Sequence, residues 1–164
     1  MLSGYKWFSS ATDAEMALVL AKVKNQDGTI DKSPSLFALE THKPDGSLNG
    51  LEVVRLKDKM GTRPLPTAEA VLNNARAFLL SDIGRGIPAI GDMLNITRLH
   101  TAISAVSYMR RIIALARSYG SKRKAFGKTL LEHPLHAKTL GELEAIYRGC
   151  LQFVFEVARL QGLV

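Results

Sequence analysis

The apolar pattern of this chain changes in the stretch at residues 87–120, which reads IPAIGDMLNITRLHTAISAVSYMRRIIALARSYG. Its apolar residues recur at steps of three and four, the spacing of one face of an α-helix. Pro88 suits the first turn of a helix, and Gly120 is typical of a residue that ends one. The stretch therefore predicts a long amphipathic helix.

A second helix is predicted from about Pro134 to the end of the chain, because apolar residues again recur at helical spacing. At residues 153–157 this helix is apolar on more than one side. Two helices cannot bury that much apolar surface against one another alone, and burial among several helices is the usual solution. We therefore expect a helical hairpin that belongs to a four-helix-bundle domain.

Upstream of the first helix the chain has the pattern of antiparallel β-structure. Short apolar runs alternate with turn signals such as Asp27-Gly28 and Pro44-Asp45-Gly46. The predicted fold class is α+β, with part of an antiparallel β-barrel or sandwich at residues 1–82 and the helical hairpin at residues 83–164. The predicted strands are Tyr5–Ser9, Ala17–Val23, Ser35–Leu39, Leu51–Leu56 and Thr67–Leu72.

Charge divides the chain in the same way. The 164 residues carry a net charge of +7, yet residues 1–82 hold 10 basic and 10 acidic side chains, against 12 basic and 5 acidic ones in residues 83–164. A field of one sign attracts phosphate, whether of nucleic acid, an anionic membrane or a cofactor. A solvated helix face is the alternative explanation.

Several classes of function lack the residues they need. Cys150 is the single cysteine, which excludes an internal disulfide and a multi-cysteine zinc site. His133 and His136 have no further ligand cluster, so no metal site is predicted, and no self-contained set of catalytic residues is visible. No stretch approaches the roughly 20 apolar residues of a membrane helix, and a soluble intracellular protein is expected.

Two motifs are compatible with a flavin site. In Trp7-Phe8-Ser9-Ser10 an indole could cover an aromatic ring while a hydroxyl or backbone N–H addresses a ring nitrogen. In the stretch from Arg123 to Lys128 a guanidinium could bind a pyrophosphate bidentately. A core tryptophan and a basic loop between helices are the respective alternatives.

Taken in order along the chain, the motifs resemble the acyl-CoA dehydrogenase family over essentially the whole length. Residues 6–23 and 59–69 resemble its middle β-domain, and residues 84–128 resemble the start of its C-terminal helical domain. Three details look closest to the alkylation-response (AidB-like) branch: Arg55-Leu56-Lys57-Asp58-Lys59, Arg98-Leu99-His100 and His133-Pro134-Leu135.

The resemblance implies roles for particular residues. It implies that FAD is the cofactor, that Trp7 lies against the flavin ring beside Phe8, and that Ser9 contacts the reactive side of that ring. It further implies that Arg123 binds the FAD phosphates of a neighbouring subunit, with Phe126 packing nearby, in a homo-oligomer that is typically a tetramer.

The resemblance also implies an acyl-CoA substrate and an oxidoreductase that acts on its CH–CH group, as in fatty acid metabolism. Arg98, with Asn95 before it, would lie by the acyl-CoA pocket, although the family usually has aspartate at the position of Asn95. The catalytic glutamate of most members would lie beyond residue 164, and a minority have it where Thr97 stands. The chain is therefore expected to be part of a larger protein, with no catalytic base of its own.

A second hypothesis assigns the basic helical half to DNA, as the alkylation-response branch implies. Phosphate contacts would then dominate, and binding would weaken steeply with salt. A third is a chain that neither binds flavin well nor catalyses a reaction. The candidate DNA contacts are Arg110, Arg111, Lys122 and Lys124.

Overall fold

The computed structural model describes residues 1–163, which divide into two compact units. The first unit comprises Met1–Gly91 and the second begins at Asp92. In chain order the elements are β1 (Leu2–Ser10), β2 (Met16–Ala21), β3 (Ser35–Glu40), β4 (Leu51–Leu56), β5 (Thr67–Ala75), β6 (Phe78–Leu79), α1 (Gly86–Lys122), β7 (Lys124–Ala125), β8 (Lys128–Thr129), a 3₁₀ turn (Leu130–Glu132) and α2 (Pro134–Gln161).

The first unit holds two antiparallel sheets of three strands, in the orders β1-β5-β4 and β2-β3-β6. The α+β class with antiparallel sheets is confirmed, and the two sheets form no closed barrel among residues 1–163. Leu72 and Ala75 of β5 pack with Val19 of β2 and Leu39 of β3 in the core between the sheets. Two further alanines of β5, Ala68 and Ala70, have no exposed surface.

The predicted strands are all present, within a few residues at each end. Both predicted turns form as well: Asp27 Oδ1 accepts hydrogen bonds from the backbone N–H and hydroxyl of Thr29, and Asp45 Oδ1 accepts the same two from Ser47. The two-residue β6 was not among the predicted strands. It forms because Phe37 and Ala38 of β3 pair with it.

The first turn of α1 is held against β3 by a close backbone approach. Gly86 N donates to Pro34 O at 2.8 Å, and Gly84 N donates to the fully buried Ser35 Oγ at 2.8 Å. A Cβ on Gly86 would lie 2.5 Å from the carbonyl carbon of Ser35 and 2.7 Å from Leu36 N. The helix can therefore begin here only because residue 86 has no side chain.

The second unit is a helical hairpin, as predicted. Val106 and Ile113 of α1 pack with Tyr147 of α2, and the partly buried Cys150 packs against this cluster. Among residues 1–163, no helix has both the length and the apolar character that crossing a membrane requires.

The end of α1 differs from the prediction. Gly120 does not stop the helix, which continues to Lys122. A Cβ at residue 120 would lie 3.2 Å from Leu131 Cδ2 and 3.3 Å from His136 Nε2. The glycine is therefore explained by close packing against the start of α2.

Replacing Gly86 with alanine is expected to lower the free energy of unfolding by about 1–3 kcal/mol, because the added methyl group meets fixed backbone atoms. Gly91 is a matched control, since it lies in the same helix and a methyl group added there would have no atom within 4 Å. Gly91→Ala should be neutral or stabilising by about 0.5–1 kcal/mol. Urea denaturation of both variants measures the difference, and equal stability of the two would contradict this account of the helix start.

Candidate functional site

A bulge in β1 turns two successive aromatic residues to the outer face of the first sheet. Lys6 pairs with Ala70 and Ser9 with Ala68, so Trp7 and Phe8 together oppose one residue of β5. Such a bulge re-aims side chains that would otherwise point to opposite faces. Trp7 is 57% exposed and Phe8 is 67% exposed, and their rings meet edge to face at 6.3 Å.

The β5 residue opposite this bulge is Glu69, which is only 5% exposed. Its carboxylate accepts hydrogen bonds from three side chains on the same face of the sheet. Arg55 Nε and Lys57 Nζ reach Oε1 at 2.8 and 2.7 Å, and the Tyr5 hydroxyl donates to Oε2. A buried charge of this kind is tolerated because it is paired and hydrogen-bonded.

These donors hold the pKa of Glu69 at about 2, below its ordinary value of 4.5. The hydrogen bond from Lys57 is the largest cause and the one from Tyr5 the next. The same contact raises the pKa of the Tyr5 hydroxyl, which would lose its proton beside an existing negative charge. Glu69 is therefore a structural anion and not a proton carrier.

Lys57 also joins this cluster to the aromatic residues. Its Nζ lies 3.3 Å from the centroid of the Trp7 ring and 4.7 Å from that of Phe8. The ammonium thus makes a cation–π contact and a salt bridge at once. We call Tyr5, Trp7, Arg55, Lys57 and Glu69 the sheet-face cluster.

Ser9 lies apart from the sheet-face cluster. It borders a small cavity of about 50 Å³ between the sheets, together with Thr41 and Leu72. Of the three residues proposed for the flavin ring, Trp7 and Phe8 are thus brought together on the outer face, and Ser9 follows them along β1.

In the second unit, Asn95 and Arg98 lie one helical turn apart on α1 and contact each other. Arg98 Nη1 donates to Asn95 Oδ1 at 3.0 Å. Both residues line a cleft of about 760 Å³ between α1 and α2, whose apolar wall includes Phe153 and Val157. Nearby, the Thr97 hydroxyl donates to the Met93 carbonyl at 2.7 Å, and a threonine cannot serve as a base.

The segment after α1 is a small β-hairpin, a form that the sequence did not predict. β7 and β8 are joined by a two-residue turn in which Phe126 and Gly127 have φ of 49° and 78°. Phe126 is 96% exposed and its ring meets that of His133 edge to face at 6.2 Å. His133 Nε2 lies 3.0 Å from Ala125 O, which ties the hairpin to the start of α2.

Arg123 immediately precedes this hairpin. Its backbone is held on both sides, since its N–H donates to Tyr119 O and its carbonyl accepts from Leu130 N, each at 2.9 Å. Its guanidinium is exposed and pairs with no carboxylate among residues 1–163. The group is therefore available to an external anion.

The four residues proposed for DNA do not form one patch. Arg110 and Arg111 precede Lys122 by eleven or twelve residues on the same helix, about 17 Å along its axis. Lys122 and Lys124 lie at the opposite end of that span, beside Arg123. Among residues 1–163, no group of three or more His, Cys, Asp and Glu side chains is arranged to hold a metal ion.

Two family models match the chain consecutively. The acyl-CoA dehydrogenase middle domain matches residues 1–75, and the acyl-CoA dehydrogenase C-terminal domain matches residues 84–162. The chain belongs to the acyl-CoA dehydrogenase family.

Relatives and solved structures agree with this assignment. The chain is 50% identical to acyl-CoA dehydrogenase family member 11 of Caenorhabditis elegans over 99% of its own length and 27% of that protein. It is 32% identical to the putative acyl-CoA dehydrogenase AidB of Escherichia coli over 96% of its length and 28% of that protein. The chain thus spans little more than a quarter of the length of these relatives.

Among solved structures, Caenorhabditis elegans ACDH-11 in complex with C11-CoA matches with a TM-score of 0.94 and 50% identity, covering 98% of this chain and 28% of that one. An acyl-CoA dehydrogenase from Bacillus anthracis complexed with FAD shares the fold with a TM-score of 0.77, at 24% identity over 98% of this chain and 26% of that one.

The comparisons correct one prediction and leave another without support. The AidB-like assignment was wrong, because identity to the Caenorhabditis elegans relative is 50% against 32% for AidB. The motifs behind that assignment cover only 11 of 164 residues, too few to separate branches of one family. No match supports DNA binding.

Sequence reasoning missed the sheet-face cluster. Glu69 was not among the site residues predicted from the sequence. The available signal was an acidic residue, Glu69, flanked by apolar residues at 68 and 70–72, together with two basic residues spaced two apart, Arg55 in the preceding strand and Lys57 directly after it. Such a pattern indicates a paired buried charge.

The depressed pKa of Glu69 predicts an acid-sensitive contribution to stability. The pKa of this carboxyl group is lower in the folded chain than in the unfolded chain, so its ionised form favours folding. This contribution to the free energy of unfolding is complete above pH 4.5 and is lost as the pH falls towards 2. Glu69→Gln should therefore be less stable than wild type at neutral pH, and the difference should shrink between pH 4.5 and 2.

Urea denaturation at several pH values within that window measures this difference. Glu52→Gln is the matched control, because Glu52 is an exposed residue of β4. Its pH profile should follow that of wild type. A gap between Glu69→Gln and wild type that stays constant with pH would contradict the assignment of Glu69 as the titrating group.

Proposed function

We propose that this chain forms the flavin-ring and acyl-binding part of an acyl-CoA dehydrogenase, an oxidoreductase that introduces a double bond between Cα and Cβ of an acyl-CoA with FAD as cofactor. The observation that carries the proposal is the likeness, at 50% identity, to an acyl-CoA dehydrogenase solved in complex with C11-CoA. Family membership and the cleft on the helical hairpin support the same substrate class.

The acyl-CoA would contact the cleft between α1 and α2. Its apolar wall, with Phe153 and Val157, suits an acyl chain, and Arg98 supplies a cation at the rim. Asn95 accepts a hydrogen bond from Arg98 and so limits the directions that the guanidinium can adopt. Since a neutral amide replaces the aspartate that is usual in the family, the Asn95–Arg98 pair has a net positive charge, which suits a CoA phosphate.

The residues proposed for FAD suit its chemistry. Trp7 and Phe8 present exposed aromatic surface against which an isoalloxazine ring can stack, and Arg123 presents a guanidinium without a carboxylate partner among residues 1–163. Ser9 would address the ring and Phe126 would pack beside the phosphates, as the family resemblance implies. When bound, FAD supplies the hydride acceptor of the reaction.

The residues of this chain would bind and orient, without taking the substrate proton. Thr97 stands where a minority of the family have the catalytic glutamate, and its hydroxyl is already donated to Met93 O. Glu69, with a pKa of about 2 and three donors, is unsuited to proton transfer. We infer that the base lies outside these 164 residues and that the phosphate contact of Arg123 operates across a homotetramer.

The cofactor assignment is tested by titrating the purified chain with FAD and following flavin absorbance and fluorescence. Arg123→Ala is expected to weaken FAD binding about 10- to 100-fold, the size of a lost charge-assisted hydrogen bond of about 1.5–3 kcal/mol. Arg111→Ala is the matched control, since Arg111 is an exposed arginine of the same unit, and it should bind FAD as wild type does. Unchanged affinity in Arg123→Ala would overturn the role of Arg123.

The substrate assignment is tested by calorimetric titration with C11-CoA. Arg98→Ala should weaken binding about 10-fold or more, because the cleft then loses the cation at its rim. Arg148→Ala is the control, an exposed arginine of α2 that pairs with Glu144. Equal C11-CoA affinity in the two variants would argue against the cleft as the acyl-CoA site.

A further inference from the structure

The ammonium group of Lys57 is enclosed between a buried carboxylate and an indole ring. Its Nζ lies 2.7 Å from Glu69 Oε1 and 3.3 Å from the centroid of the Trp7 ring. The Lys57 side chain is only 12% exposed, although it follows the last residue of an edge strand. A lysine in this position normally extends into water, so the two contacts hold it down against the sheet.

The two faces of the Trp7 indole are therefore not equivalent. Lys57 covers one face, and because its ammonium is bonded to Glu69 in the sheet surface, that face is turned towards the sheet. Trp7 is nevertheless 57% exposed. Aromatic surface of Trp7 on the side away from Lys57 is therefore left accessible.

The bulge makes this contact important for the orientation of Trp7. Trp7 and Phe8 lie between the paired residues Lys6 and Ser9 and take no part in the Cα register with β5. The Trp7 indole N–H donates no hydrogen bond to any of residues 1–163. Its ring otherwise meets Tyr5 at 6.3 Å, tilted by 42°, and the edge of Phe8. Lys57 is the cation that lies over the ring, 3.3 Å from its centroid.

We propose that Lys57, anchored by Glu69, is a positioning residue for the flavin site: it holds the indole of Trp7 down on the sheet so that the outward face is pre-oriented for stacking with a planar ring. This inference rests on the proposed function, in which Trp7 lies against the ring of FAD. Arg55 completes the arrangement, because it also donates to Glu69 Oε1 and leaves the sheet-face cluster with a net positive charge.

Two consequences follow from this arrangement. Without the Lys57 ammonium the indole should sample more orientations, even when no flavin is bound. Binding of a planar ring should then weaken, because part of the binding free energy is used to order the Trp7 side chain. Arginine at residue 57 should preserve both properties, since a guanidinium also pairs with a carboxylate and stacks on an aromatic face.

The test uses the fact that Trp7 is the only tryptophan of the chain, so its fluorescence reports on this site alone. Anisotropy and acrylamide quenching of Trp7 emission are compared in wild type, Lys57→Met, Lys57→Arg and Lys32→Met, first without FAD and then during FAD titration. Lys32 is the matched control, an exposed lysine of the same unit that makes no contact with Trp7. Circular dichroism establishes that each variant is folded.

We expect Lys57→Met to show lower anisotropy and stronger quenching without FAD, and about 2- to 10-fold weaker FAD binding, the range of a cation–π contact. Lys57→Arg and Lys32→Met should match wild type in both measurements. The rescue by arginine separates a positioning role from a general loss of packing.

Emission in Lys57→Met that matches wild type before FAD is added would overturn the inference, whatever the flavin data show. Altered emission with unchanged FAD affinity would overturn it too, because the orientation of Trp7 would then be irrelevant to the ring. If the wild-type chain does not bind FAD, the proposed function is overturned instead. Trp7 emission measured without FAD still shows in that case whether Lys57 holds the indole.

Discussion

The carboxylate of Glu69 is the constraint on which the outer face of the first unit depends. A charge that is only 5% exposed needs compensation, and three donors supply it: Tyr5 in β1, Arg55 in β4 and Lys57 directly after β4. Both neighbouring strands depart from regular pairing beside it, with the Trp7–Phe8 bulge in β1 and a register shift between Val53 and Arg55 in β4. These irregularities place the hydrogen-bond donors and the aromatic rings on the same face of the sheet. The buried carboxylate and the exposed aromatic surface are therefore linked, through Lys57, which contacts both.

The second unit relies on close packing of helices and on the connection between them. Val106, Ile113 and Tyr147 form its small core, while much of the remaining apolar surface of both helices stays exposed. At the connection Glu132 accepts hydrogen bonds from the N–H and hydroxyl of Thr129, which lowers the pKa of this carboxyl. The hairpin that carries Phe126 is thereby held to the start of α2, and the exposed guanidinium of Arg123 has a fixed backbone beneath it.

Much of the fold was predictable because it depends on local patterns. Short apolar runs bounded by turn signals predicted the five main strands, and the three-and-four spacing of apolar residues predicted both helices. The errors have a common physical origin. Gly120 has the local signature of a helix end but lies inside the helix and packs closely against Leu131, and β6 depends on pairing with β3. The pairing of Asn95 with Arg98 follows from helical spacing, whereas that of Glu69 with Tyr5 joins residues 64 positions apart.

The sequence by itself determined the fold class, the two-part organisation and the family, because periodicity, turn chemistry and short motifs are properties of neighbouring residues. It also determined that the single tryptophan and the basic segment beginning at Arg123 were candidates for a flavin site. Only the tertiary structure decided that Lys57 lies under Trp7, that Glu69 holds it there, and that the strands form two open sheets. Strand register and bulges determine which side chains share a face, and these result from long-range pairing that no local pattern encodes.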